Sequence, residues 1–145
     1  MPTITSEISS QGALLDIFLD ISQARKVTLK TAGRPYPQPI KVKALIDTGA
    51  SCTCVDPSVI QALDITPTGA GAVSTPLTGE SPQICNKYDI TVLLVHPEIQ
   101  YQIGAIPVLE TKVFGQGIQA LIGRDVLSKC LLTYNGNIDQ YTISF

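Results

Sequence analysis

Long apolar runs, a surplus of basic charge, a cysteine framework and a second histidine are all missing from this chain, and each absence removes a class of function. Nowhere do about eighteen apolar residues run together, and the N-terminus lacks a charged start followed by an apolar stretch, so neither a membrane span nor a signal peptide is indicated. Lys and Arg total 10 against 12 Asp and Glu. The basic residues are scattered, which leaves nucleic acid or a membrane surface no patch to bind. The cysteines, at 52, 54, 85 and 130, lack the paired knuckles of a zinc site, and each sits in or beside an apolar segment. The single histidine, His96, precedes Pro97 in a turn, and nothing in the sequence sets a thiol beside it for Cys-His catalysis. No metal and no cofactor are expected. At 145 residues and 44% apolar content, one domain buries a real core without disulfide staples. The thiols are therefore read as reduced, which suits a cytoplasmic protein.

What is present is an acid in an unusual place. Asp47-Thr48-Gly49 follows the apolar Ala44-Leu45-Ile46 and precedes Ala50-Ser51, so the aspartate stands on a sharp turn at the end of a buried strand. Burial penalises a carboxylate unless a partner or hydrogen bonds compensate it; a surface turn or a helix cap is the plainer alternative. The tripeptide alone arises by chance in roughly a few per cent of chains of this size. A second stretch, Ala120-Leu121-Ile122-Gly123-Arg124-Asp125-Val126-Leu127, lies about seventy residues later.

Most of the remaining chain reads as strand. Residues 1–11 are polar and read as a loose, flexible tail, leaving 12–145 as the single domain. Residues 13–21 alternate two faces, with Leu15, Ile17, Leu19 and Ile21 on one. The prolines at 35, 37 and 39 make 33–39 a connection, after which 40–46 resumes the strand pattern and delivers Asp47. Thr53-Cys54-Val55 leaves the turn as a strand, and Asp56-Pro57 predicts a capped helix over 57–63. Residues 66–83 are rich in Gly, Thr, Ser, Pro and Ala, the composition of a linker or of a mobile hairpin. Strands follow at 88–95 and 101–109, joined through His96-Pro97-Glu98; a loop around 114–117 leads to 120–122 and a helix over 124–129. Strands 131–134 and 141–145 flank Asn135-Gly136, a strong hairpin signal. Two short helices in a small, mostly antiparallel closed sheet make an all-β fold.

From Ile40 to the C-terminus the two motifs resemble the retropepsins, the retroviral-type aspartic proteases that have one lobe per chain. Ala50 fits them, because retropepsins usually carry Ala after the Gly. The bacterial single-domain members are the most similar, since their C-terminal ends read much like Leu127-Ser128-Lys129-Cys130-Leu131-Leu132-Thr133-Tyr134-Asn135-Gly136. The resemblance implies a retropepsin-like closed (acid protease) β-barrel and an aspartic endopeptidase cutting extended polypeptides. It implies Asp47 as acid and base, Thr48 as a cross-link between two active-site loops, and Gly49 as the tight turn presenting its carbonyl to substrate. Ala50, Ser51, Cys52, Cys54 and Leu121 would line the cleft, together with Val73, Ser74 and Thr75 of a flap with its tip near 74–79.

The chemistry needs two carboxylates sharing a proton, and this chain has one such turn. A homodimer with the site on its two-fold axis is the expected assembly. The match departs from the viral pattern at Ser51, where those enzymes often place an acid that pairs with the Arg after Leu-Ile-Gly. Arg124 keeps that Arg's place, and Asp125, a backbone carbonyl or the other subunit is left to pair with it. The competing reading is a retropepsin-like module that binds peptides or dimerises without cutting.

Overall fold

The computed structural model describes residues 1–74, 81–112 and 117–145 of the chain. Alternation of apolar residues sets the architecture. In β2 (Leu14–Ile21) the residues Leu15, Ile17, Leu19 and Ile21 are all buried, as the two-residue period requires. β2 lies between β3 (Ile40–Ile46) and the long β6 (Gln83–His96), antiparallel to both. β3 runs parallel to β8 (Ile118–Ile122), β8 antiparallel to β4 (Cys54–Val55), β4 parallel to β7 (Ile99–Glu110), and β7 antiparallel to β6. The order β2-β3-β8-β4-β7-β6 returns to β2 and closes a six-stranded barrel. The first half of β6 instead carries β5 (Gly69–Val73), antiparallel, outside the ring. This is the expected all-β closed barrel.

A separate three-stranded sheet has β10 (Gln140–Ser144) between β1 (Thr3–Glu7) and β9 (Leu131–Asn135). Ile143 and Tyr141 of β10 are fully buried, and the Tyr141 hydroxyl donates to the Leu14 carbonyl, which ties this sheet to the barrel. Burial pushes the Tyr141 phenol above its ordinary value.

Two expectations need correction. Thr3–Glu7, read as part of a loose tail, is a strand, because β10 offers it a partner along five residues, Thr3 opposite Ser144 through Glu7 opposite Gln140. The described residues also hold three helices, not two. α1 (Gln23–Thr31) is capped by the Ser22 side chain accepting from the Arg25 N–H, and Lys26 reaches back to the buried Asp20 carboxylate. α2 (Pro57–Leu63) has the predicted Asp56 cap, and its Val59, Ile60 and Leu63 enter the core. α3 (Arg124–Leu127) is shorter than the 124–129 predicted. Among the described residues no helix is long and apolar enough to cross a membrane.

Candidate active site

The parallel β3–β8 ladder ends in the acid. The Asp47 N–H donates to the Ile122 carbonyl at 3.0 Å, one step past Ile46 opposite Ile122, and the chain then turns. The Gly49 N–H donates to Asp47 Oδ1 at 2.9 Å, and the Ala50 N–H to the Asp47 carbonyl at 3.2 Å. Gly49 holds this turn tight: a β-carbon there would lie 3.2 Å from Asp47 Oδ1. Asp47 is half-buried, so one carboxylate oxygen is fixed by a backbone donor while the group still borders open space.

That space is a cleft of about 380 Å³. Its walls bring together Asp47, Gly49, Ala50, Ser51, Cys52, Cys54, Val73, Ser74 and Leu121, all expected from the sequence, and add Ala72 and Leu109. Leu109 lies directly opposite Cys54 in the β4–β7 pairing. The close approach of β5 to Leu109 has a local cause at Gly71, where a β-carbon would stand 2.6 Å from Leu109 Cδ2. Thr48 is exposed at the apex of the turn, outside this lining. Thr75 and most of the expected flap tip at 74–79 lie outside the described residues, as does most of the loop expected around 114–117.

Arg124 takes the backbone-carbonyl option among the partners considered for it. Its Nη1 donates to the Thr48 carbonyl at 2.9 Å and to the Gly49 carbonyl at 3.2 Å, while its own N–H donates to the Ala50 carbonyl at 2.9 Å. The guanidinium thus holds the far side of the turn that carries Asp47, with no acid needed at Ser51. The Gly49 carbonyl, expected to face substrate, is engaged here by Arg124.

Two positioning residues escaped the sequence reading. Thr53 is fully buried; its N–H and hydroxyl each donate to the Asp125 carboxylate at 2.8 Å, and its Oγ1 accepts from the Gly123 N–H at 3.1 Å. Asp125, read as part of the helix start and as a possible partner of Arg124, also takes the Val126 N–H at 2.9 Å. The available signal was a lone hydroxyl between Cys52 and Val55, since a polar group among core positions must find a partner. Gly123 is fixed by the same junction: a β-carbon there would meet the Cys52 carbonyl carbon at 2.5 Å and its oxygen at 2.6 Å.

Two thiols in or near the cleft are shifted by their surroundings. Burial, then the neighbouring Cys52, pushes the Cys54 thiol up to about 12, and burial with Glu110 raises Cys85. All four cysteines are free, and among the described residues no three His, Cys, Asp or Glu side chains cluster as a metal site would need.

No family model and no curated protein matches the chain. Solved structures do. A retropepsin-like aspartic protease from Rickettsia conorii is similar at TM-score 0.56 and 16% identity, over 97% of this chain and 89% of that one. The retroviral protease-like domain of Ddi1 from Leishmania major is similar at TM-score 0.44 and 16% identity, over 86% and 83% of the two chains. By its fold, then, this chain is retropepsin-like.

Proposed function

We propose that the chain is an aspartic endopeptidase that works as a homodimer, hydrolysing peptide bonds in extended polypeptides. The observation that carries this reading is the Asp47 turn at the cleft wall: an acid held by the Gly49 N–H, braced from behind by Arg124 and bordered by the apolar surfaces of Leu109 and Leu121. One such turn per chain is half of a working site. In the dimer two Asp47 carboxylates share one proton. One carboxylate draws a proton from a water, the water oxygen adds to the scissile carbonyl, and the other carboxylate protonates the carbonyl oxygen. Collapse of the tetrahedral species breaks the C–N bond and passes a proton to the leaving nitrogen. The pair titrates as a unit, and activity is lost when both are charged, so turnover falls in alkaline solution.

The second copy has a surface to meet. Among the described residues β9 is an open edge of the three-stranded sheet, and Leu131 and Tyr134 on it are 61% and 63% exposed. Residues 131–135 contain neither a charge nor a proline to block further pairing. Antiparallel self-pairing of one edge is compatible with a two-fold axis. Substrate would lie extended in the joint cleft, held by backbone hydrogen bonds with apolar side chains in its pockets, and β5 with the segment after it would act as the flap.

The test is a peptide library incubated with the wild type and with Asp47→Asn across pH, read by mass spectrometry. Cleavage by the wild type alone is expected. Binding by both with cleavage by neither, from protein shown to be dimeric, would establish the non-cutting module instead.

A further inference from the structure

Cys52 and Cys54 stand two residues apart on the strand leaving the Asp47 turn, and both line the cleft. The Cys54 thiol donates to the Cys52 carbonyl oxygen at 3.9 Å, and Cys52 is near enough to add to the rise in the Cys54 pKa. They differ in access: Cys54 is buried, whereas Cys52 is half-exposed at the cleft wall. Peptide hydrolysis by an aspartate pair uses neither sulfur. A dithiol is therefore built into the wall of the site, its more exposed member open to whatever small molecule enters.

We propose that Cys52 and Cys54 form an oxidative modification site, in which a hydroperoxide converts the two thiols into an intrachain disulfide. The Cys52 thiolate attacks one peroxide oxygen and the O–O bond breaks, giving the Cys52 sulfenic acid and, once protonated, the first water (or alcohol). The Cys54 sulfur then attacks the Cys52 sulfur; the S–O bond breaks and the hydroxyl leaves with the Cys54 proton as water. The two thiols lose two electrons and two protons in all, and the peroxide is reduced. The high proton affinity that burial gives Cys54 makes it the slower, resolving partner, and its place two residues from Cys52 in the same cleft wall compensates.

Such a bond alters the site through Cys52. Its carbonyl group is packed where a β-carbon on Gly123 would stand at 2.5–2.6 Å, so a movement of the Cys52 backbone is felt by Gly123 and then by Arg124, which holds the Thr48 and Gly49 carbonyls. The effect on turnover rests on the protease reading; the chemistry at the thiols does not.

The test treats the full chain with hydrogen peroxide, blocks remaining thiols with N-ethylmaleimide and maps peptides by mass spectrometry. It uses the wild type, Asp47→Asn, Cys52→Ser and Cys85→Ser. A loss of two hydrogens located between Cys52 and Cys54 is expected in the wild type, Asp47→Asn and Cys85→Ser, absent in Cys52→Ser and reversed by dithiothreitol. In the cleaving wild type, oxidation should lower turnover by about ten- to a hundredfold, with recovery on reduction. The proposal is overturned if Cys52 and Cys54 both remain alkylatable, if Cys52 runs on to the sulfinic acid unpaired, or if Cys54 joins Cys85. A reversible disulfide in protein that never cleaves peptide, reduced or oxidised, upholds the site while removing the protease reading.

Discussion

Gly123 shows how narrowly a single residue sets this site. No room exists for one methyl group against the Cys52 backbone, so Gly123→Ala must push apart the strand leaving Asp47 and the start of α3. Overpacking of this kind costs typically 1–3 kcal/mol, and because the neighbour is backbone we expect a loss of about 3 kcal/mol in urea unfolding, with no detectable cleavage. Thr53→Val, nearly the same shape, removes both hydroxyl hydrogen bonds and leaves the Gly123 N–H unpaired, at an expected cost of about 1–3 kcal/mol. Cys54 provides a pH test. Its folded pKa is raised from 9.0 to about 12, so its contribution to stability is fully present below pH 9 and is lost as pH rises through 12. Cys54→Ala should accordingly flatten the fall in urea midpoint over that window relative to wild type. A parallel fall in both proteins would show that burial of this thiol is not what shifts it.

Elements differ in how far their own sequence betrays them. β2, β3 and α2 were legible because each carries its signal internally: alternation over Leu15 to Ile21, an apolar run into Asp47, and the Asp56-Pro57 start. Much of the cleft lining was legible for the same reason, since seven of its eleven residues sit within a few positions of the two motifs, whereas Ala72 and Leu109 come from distant strands. α1 was not, because Gln23–Thr31 buries only Leu29, so no apolar stripe appears, and it is held by the Ser22 cap and the Asp20–Lys26 pair. β1 was not, because Thr3–Glu7 is mostly polar and becomes a strand only when β10 supplies the ladder. Thr53 and Asp125 were invisible as a pair because 72 residues separate them. Deleting residues 1–7 tests the β1 account. It strips one side of β10 and the partly buried Ile4 from the core, and should lower the melting temperature by several degrees or more. An unchanged melting temperature would show that the N-terminal strand adds no stability.

At the scale of the whole molecule, the proposed dimer turns on a mismatch within one sheet. Leu132 and Tyr134 of β9 share the face on which Ile143 and Tyr141 of β10 are fully buried, yet Tyr134 is 63% exposed. The buried face thus continues past the last strand, beside an unpaired edge. β9 also follows α3 after three residues, and α3 begins at the arginine that braces the Asp47 turn. A second copy joined at β9 would therefore be coupled through a short path to the residue it must complete. Placing charge on this edge, as Leu131→Lys with Tyr134→Lys, sets like charges against their own images across the axis without touching the barrel core. The variant should keep the wild-type circular dichroism spectrum but sediment as a monomer at concentrations where the wild type is dimeric. Its specific activity should be low and rise with protein concentration, because mass action restores the pair. A variant that stays dimeric with full activity would place the two-fold axis on some other surface.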